Sequence, residues 1–242
     1  MPAGETRFEP KVDLAARTKA ALAGRSAEAP STVPEPERAA RLLPGLPLGN
    51  VDDVAQRLRT NVALGRGVAV FAATPGMPTT APALALARTL AGNAKVVLVG
   101  LVPDAAACEA LGVEPDAIGL ADVVRGAVSF GQVIRRDKGS RVHLVAFGRP
   151  DVGIDAILDS RRFLTMIEAL AKVYDHVVVD AGYTGSGARR FAAIAPRGVV
   201  IASPDAQREA ASASRMLAGA GFADIAVMAP AAGGEPHDLV AA

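Results

Sequence analysis

The sequence predicts a doubly wound α/β domain, with a mainly parallel sheet and helices on both of its faces. From Val51 onwards, short continuously apolar runs alternate with segments of helical periodicity. Strands that are apolar on both faces must be covered on both faces, as in parallel sheets whose connections are helices. The chain has 242 residues, half of them hydrophobic, which is enough to bury one sizeable core.

Six apolar runs are predicted to be strands. Two of them, residues 67–73 (GVAVFAA) and 95–100 (KVVLVG), enclose the segment in which a loop and a helix are expected. The other four are residues 141–147, 176–182, 198–203 and 224–229. Right-handed crossovers between parallel strands place ligand-binding loops at the carboxyl ends of the strands. A functional site is therefore expected at that edge of the sheet.

The segments between the strands carry helical patterns. A first predicted helix spans residues 51–64, and its apolar face is Val51, Val54, Leu58 and Val62. A second runs from about residue 79 to residue 91. A third has the apolar stripe Phe163, Leu164, Ile167, Leu170 and Ala171. Ser203 as N-cap and Pro204 at the first helical position predict a further helix. The expected core also includes Phe130, Val133 and Ile134.

Residues 1–50 differ from the rest in composition. They hold seven of the 17 prolines and few large apolar side chains, so they are predicted to be a disordered tail before a domain at 51–242. The formal net charge of +1 indicates neither a nucleic-acid partner nor direct membrane insertion. A single cysteine, Cys108, excludes a disulfide framework and is typical of a reducing compartment. A cytoplasmic protein is expected.

The segment 74–80 (TPGMPTT) lies where a strand turns into a helix, the position of a phosphate-binding loop. Such a loop needs glycines that free inward-pointing N–H groups, a lysine for the β- and γ-phosphates, and Ser or Thr for Mg²⁺. Gly76 is present, and Thr79 and Thr80 begin a helix whose N-terminus would face an anion. The lysine is missing, and Pro78 removes a donor. A plain strand-to-helix turn capped by a threonine explains the segment equally well.

The whole core resembles one family. Five stretches carry the resemblance, in the family's order and at its spacing. With the family's pattern in parentheses, they are DVAQRLRTN (E-A-F-R-x-L-R-T-N), AATPGMPTT (S-x-x-P-G-E-G-K-S-T), GLADVVRG with HLVAFGRP (G-L-S-D-V-L-x-G and a strand ending in P-A-G), VYDHVVVD (Y-D-Y-V-I-I-D), and ARRFAAIAPRGVVIASPDAQREA. They resemble the cytoplasmic domain of bacterial tyrosine kinases that regulate capsular and exopolysaccharide synthesis, a branch of the MinD/ParA-like P-loop NTPases. The similarity covers about residues 51–229.

The resemblance assigns roles to individual residues. It implies a vestigial nucleotide-binding loop made of Gly76, Met77, Pro78, Thr79 and Thr80. Thr79 stands at the lysine position and Thr80 at that of the Mg²⁺-binding serine. Asp180 corresponds to the Walker B carboxylate, so Thr80 and Asp180 form a vestigial Mg²⁺ site. A structural acid that caps a loop is the alternative role for Asp180.

This sequence departs from the family pattern at the positions that carry the family's chemistry. The second acidic motif, D-x-D, is replaced by a sequence beginning at Leu101, and the first acid is Asp104. The tyrosine cluster that such kinases phosphorylate is missing, because Tyr174 and Tyr183 are the only tyrosines. Each loss removes charge stabilisation from phosphoryl transfer. We therefore expect no catalytic residues and no cofactor, with at most weak binding of Mg-ATP.

One helix suggests self-association. Asp53, Gln56 and Arg59 stand at the positions of the family's E-x-x-R-x-x-R motif, through which relatives form rings, and share one helix face. A solvated polar face is the alternative. The expected function is a non-catalytic regulator or subunit of exopolysaccharide synthesis and export, associated with the membrane through a polysaccharide co-polymerase or a kinase homologue. Two alternatives are an active but atypical ATPase or tyrosine kinase, and a MinD-like pseudo-ATPase positioning factor.

Overall fold

The computed structural model describes residues 47–183 and 187–230. Most of the predicted tail lies outside these ranges, but its last four residues do not. Leu48 and Gly49 form a short strand, and Asn50 caps the first helix. The folded domain therefore begins before Val51, earlier than the sequence pattern predicts.

The described residues form eight strands and nine α-helices. The strands are β1 (Leu48–Gly49), β2 (Gly67–Ala72), β3 (Val96–Gly100), β4 (Arg135–Arg136), β5 (His143–Val145), β6 (His176–Tyr183), β7 (Arg197–Ile201) and β8 (Asp224–Met228). The helices are α1 (Val51–Thr60), α2 (Thr80–Leu90), α3 (Ala105–Leu111), α4 (Leu120–Arg125), α5 (Phe130–Val133), α6 (Ile154–Leu158), α7 (Arg161–Val173), α8 (Ala188–Ile194) and α9 (Gln207–Ala220). A short 3₁₀ helix, Val62–Leu64, follows α1.

The strands form one sheet in the order β1-β8-β7-β2-β6-β3-β5-β4. All neighbours are parallel except β4 and β5, which form an antiparallel pair at one edge. The chain leaves β2 for β3 on one side, and later crosses from β6 to β7 on the other. Strand order thus reverses around β2, which opens a crevice at the carboxyl ends of the central strands.

Helices cover both faces of the sheet, which confirms the predicted fold class. Alternate side chains of each strand point to opposite faces, so Val68 and Val70 pack against α1 and α2, whereas Ala69 and Phe71 face the layer formed by α4 to α9. Phe71 contacts the edges of Phe191 and Phe222, with ring centroids 5.4 and 5.6 Å apart. The predicted strands are confirmed with small changes at their ends.

Some local predictions are wrong. Val62 is 46% exposed, because α1 ends at Thr60 and the following 3₁₀ turn carries Val62 off the helix face. The helix expected at Pro204 begins at Gln207, after a turn in which the Ala206 N–H donates to the Ser203 carbonyl.

Two aromatic or aliphatic side chains expected in the core lie at the surface. Leu164 is exposed although Phe163, Ile167 and Leu170 of the same α7 stripe are buried. Phe130 is 45% exposed, whereas Val133 of the same short helix is fully buried. Periodicity identifies the side of a helix that packs, but the edge of that side depends on which neighbours reach it.

Candidate functional site

The crevice brings the ends of β2, β3 and β6 together. Val70 of β2 pairs with Asp180 of β6, and Gly100 of β3 pairs with Asp180 from the other side. The register of β2 against β6 then shifts, so that Phe71 lies opposite Gly182. Asp180 therefore stands in the central strand at the point where the β2–α2 loop begins.

Thr79 and Thr80 bond directly to this carboxylate. The Thr79 hydroxyl donates to Asp180 Oδ1 and the Thr80 hydroxyl to Asp180 Oδ2, each at 2.5 Å. All three residues are buried, and Asp180 is completely inaccessible. We call these residues (Thr79, Thr80 and Asp180) the Asp180 clamp. The threonines are 100 positions or more away from Asp180 along the chain.

The electrostatics of Asp180 follow from this burial. Removal from water raises the pKa of its carboxyl above the ordinary value of 3.8, and the negative charge of Asp104 adds to the rise. The two threonine hydroxyls and the Gly182 N–H act in the opposite direction, because they donate to the charged form. Burial is the larger influence, and the pKa stays raised.

The loop between β2 and α2 has few free backbone donors. Pro75, Pro78 and Pro82 have no N–H group, and Pro82 lies in the first turn of α2. The Met77 N–H donates to the Thr74 carbonyl within the loop, across the turn at Gly76, which has a φ of 77°. A phosphate cradle needs consecutive N–H groups that point inward. Pro75 and Pro82 strengthen the expectation drawn from Pro78, because each of them also lacks a backbone donor.

The first residue of the loop after β3 is apolar. Leu101 is fully buried, and its N–H donates to the Asp180 carbonyl at 2.9 Å. Asp104, the first acid beyond it, accepts the Ala107 N–H at 2.7 Å as the N-cap of α3. The position at which the sequence resemblance implies an acidic motif therefore holds a core side chain, and the Asp104 carboxylate has a structural role.

The hydrogen bonds of the clamp compete with Mg²⁺ for oxygen ligands. Both Asp180 oxygens accept hydroxyl protons, one of them from Thr80, and a bound Mg²⁺ would need the same oxygens. The position where a lysine would meet phosphate is occupied by Thr79. Within residues 47–183 and 187–230, no group of three or more His, Cys, Asp or Glu side chains could hold a metal ion.

The surface of α1 has other roles in addition to any self-association. The Asp53 carboxylate accepts the Asn50 N–H in a capping box, and Gln56 is exposed. Arg59 is partly buried and donates from Nη2 to the Thr89 carbonyl at the end of α2, at 2.5 Å. Two of the three motif residues thus stabilise the monomer, and their part in self-association stays a prediction.

No family model and no curated protein matches the chain. Solved structures do. The chimerical protein CapA2B2 is 15% identical, with 80% of this chain and 97% of that chain covered and a TM-score of 0.66. For the kinase domain of Escherichia coli tyrosine kinase ETK, the identity is 17%, the coverage 74% of each chain and the TM-score 0.60. For the MinC:MinD cell division protein complex of Aquifex aeolicus, these values are 17%, 68% of each chain and 0.55.

The fold is that of bacterial tyrosine kinase domains and MinD. This confirms the fold that the sequence motifs imply. Within the tyrosine-kinase-like fold, the Asp180 clamp lies at the carboxyl ends of the central strands, where ligands of open α/β sheets bind. In the part of the chain that the structure describes, no helix has the length and apolar character to cross a membrane.

Proposed function

We propose that this protein is a catalytically degenerate relative of the bacterial tyrosine kinases, and that it acts as a non-catalytic regulator or subunit in exopolysaccharide synthesis and export. The Asp180 clamp is the observation that carries the proposal. The side chains at the positions of the phosphate-binding lysine, the Mg²⁺-binding serine and the Walker B acid bond to one another. Each Asp180 oxygen accepts one hydroxyl proton, so the clamp is held closed by its own hydrogen bonds, and a ligand would compete with them.

Energetics support the loss of catalysis. Phosphoryl transfer depends on positioned charge, and removal of one such group typically costs about 3 kcal/mol of transition-state stabilisation. Three changes coincide here: Thr79 in place of lysine, Leu101 in place of an acid, and Pro78 in place of a backbone donor. Together they leave little turnover.

The proposed partner is a membrane polysaccharide co-polymerase or an active kinase homologue. A chain that keeps the tyrosine-kinase-like fold presents the same layers of helices around the same sheet, so it can use a docking surface without a working site. Association with the membrane would then come through the partner. A homo-oligomer through Asp53, Gln56 and Arg59 is part of the same proposal.

The MinD-like structures favour a second candidate, a pseudo-ATPase positioning factor. The MinC:MinD complex matches over 68% of this chain. The two candidates differ in their genetic context: glycosyltransferase and export genes nearby favour the first, whereas pilus or septum assembly genes favour the second. An active but atypical kinase is the third candidate, and it would require the wild type to bind ATP.

Calorimetric titration with ATP and Mg²⁺ tests the proposal. We expect no binding by the wild type, or a Kd near 1 mM, roughly −4 kcal/mol. The Pro78→Gly, Thr79→Lys double variant should bind measurably better, because one change frees a backbone donor and the other supplies a cation. Thr79→Lys alone is the matched control and should improve binding less, since Pro78 still lacks an N–H.

Two results would contradict the proposal. Micromolar binding by the wild type would mean that the site is intact by another route. A double variant that binds no better than wild type would mean that the loop has no relation to a nucleotide site. Circular dichroism of each variant establishes that the fold is kept.

A further inference from the structure

A cavity of about 530 Å³ lies between the α4–α5 connection and the first turns of α7. Its deepest lining residues are Val123 and Met166, both buried, and Phe130 forms part of its wall. Arg161 and Arg162 are exposed and stand at its mouth. None of the residues of the Asp180 clamp lines this cavity, so it is a second, separate feature of the molecule.

Phe130 is held at the surface by its own helix cap. The Ser129 N–H and hydroxyl both donate to Gln132 Oε1, at 2.8 and 2.9 Å, and Val133 is buried beneath. These contacts fix the turn and leave the aromatic ring 45% exposed beside the cavity. An aromatic side chain left exposed beside a concave surface that contains both apolar and cationic groups offers an anchor point for a partner.

The charge of the cavity has one sign. Its lining contains Arg161 and Arg162 and no carboxylate, and neither arginine has an ion-pair partner among the described residues. Arg162 Nη1 donates to the Val124 carbonyl at 3.1 Å. Its guanidinium lies against Gly126, where a Cβ would come within 2.3 Å of Nη1. Arg162 is thus positioned by the backbone, while the remaining guanidinium N–H groups are available to an anion.

We propose that this cavity docks an acidic linear segment of a partner protein. One aromatic or large aliphatic side chain of the segment enters the cavity beside Phe130, and its flanking carboxylates pair with Arg161 and Arg162. Arginine matches a carboxylate through two parallel N–H···O bonds, and Arg and Phe are enriched at protein interfaces. Charge complementarity thus selects an acidic partner, and the cavity selects its apolar anchor. The docking does not depend on the nucleotide-site assignment.

Selection from a library of short random peptides tests this proposal. The full-length protein is the target, and the Arg161→Ala, Arg162→Ala double variant is used for counter-selection. We expect the selected peptides to combine Asp or Glu with an aromatic or large aliphatic residue. Fluorescence polarisation should then show a Kd about tenfold weaker for the double variant, and weaker binding to Phe130→Ser as well.

Matched controls separate the cavity from general charge attraction. Arg208 and Arg215 are exposed arginines of α9, and their double alanine variant removes the same charge elsewhere. It should keep the Kd within about twofold of wild type. Peptides in which the anchor is replaced by Ala, or the acids by Gln and Asn, should bind about tenfold more weakly.

Several outcomes would overturn the proposal. The first is that the selected peptides contain no acidic residues. The second is that the Arg208, Arg215 variant weakens peptide binding as much as the Arg161, Arg162 variant does. The third is that binding is unchanged when the apolar anchor of the peptide is replaced. Sedimentation velocity tests a different occupant, a second copy of this chain. A dimer that is lost in the Arg161, Arg162 variant would assign the cavity to self-association and contradict an acidic partner. The variants can be compared only if their melting temperatures equal that of the wild type.

Discussion

Asp180 illustrates how a buried carboxylate can be satisfied by side chains from a distant part of the chain. An isolated carboxylate in this position would be costly, because it is fully buried in the central strand of the sheet. The hydroxyls of Thr79 and Thr80 supply the donors that water would otherwise provide. They therefore stabilise the carboxylate inside the protein.

Asp180→Asn tests this account through pH. The folded-state pKa of Asp180 is raised above 3.8, so the native protein holds its proton more tightly than the unfolded chain does. The wild type therefore loses stability as pH rises from about 4 towards the raised pKa, and the asparagine variant lacks that loss. Urea unfolding at several pH values should show the stability difference shifting in favour of Asp180→Asn as pH rises. A shift in the opposite direction would mean that the native site prefers the charged form.

The pKa of His176 is lowered by burial, whereas that of Asp180 is raised. Burial, and then the charge of Arg197, lower its pKa from 6.5 to about 4, and the ring accepts from Arg197 Nη2 at 3.3 Å. The ring stays neutral in the folded protein, so its stabilising contribution is complete above pH 6.5 and is lost as pH falls towards 4. The loss amounts to about 2–3 kcal/mol.

His176→Gln should flatten this part of the stability profile. Glutamine offers Arg197 an acceptor and does not titrate, so the variant's free energy of unfolding should change less than that of wild type between about pH 6.5 and 4. Urea unfolding across that range provides the measurement. His237→Gln, outside the described residues, replaces a different histidine and serves as the comparison. Parallel profiles for wild type and His176→Gln would contradict the assignment.

Among the elements, the junction of β1 and α1 shows how the domain begins. Leu48 and Gly49 pair with Val227 and Met228 of β8, and the Asn50 side chain accepts the N–H groups of Asp52 and Asp53 at 2.9 Å. Asp53 completes a capping box with the Asn50 N–H. A short edge strand and a helix cap thus lie in a segment whose composition resembles a tail.

Asn50→Ala should lower the free energy of unfolding by about 1 kcal/mol, because two N–H groups at the start of α1 lose their acceptor. A truncation that starts at Val51 should lose more than one that starts at Pro47, since it also removes β1. Thermal and urea unfolding of both pairs give these differences. Asn93→Ala, an exposed turn position, is the matched control and should change stability little. Equal stability of the two truncations would show that β1 and the cap contribute nothing.

For the whole molecule, the proposal predicts no enzymatic turnover. Purified protein should show neither ATP hydrolysis nor autophosphorylation above background, because the lysine and the acidic motif are replaced by Thr79 and Leu101. Of the two tyrosines, Tyr174 is buried and bonds to His143, and Tyr183 is exposed at the end of β6. Radiolabelled phosphate transfer, run beside an intact homologue, provides the measurement. Turnover within about tenfold of that homologue would contradict the proposal.

The sequence by itself determined the architecture and the chemical content of the site. Alternating apolar runs and helical periodicity predict the parallel sheet, since these patterns depend on residues close together in the chain. The missing lysine and Pro78 can likewise be seen without coordinates. The order and spacing of the five motifs resemble those of the bacterial tyrosine kinases, and this resemblance implies the tyrosine-kinase-like fold.

Only the tertiary structure decided how these residues are used. The bonds from Thr79 and Thr80 to Asp180 cross 100 or more positions and depend on the register of β2 against β6, which no local pattern specifies. The same holds for Phe130, whose exposure depends on what α7 leaves uncovered, and for β1, which becomes a strand because β8 offers an edge. Local pattern determines what an element can be, and packing against distant residues decides which side chains are buried and which are left for a partner.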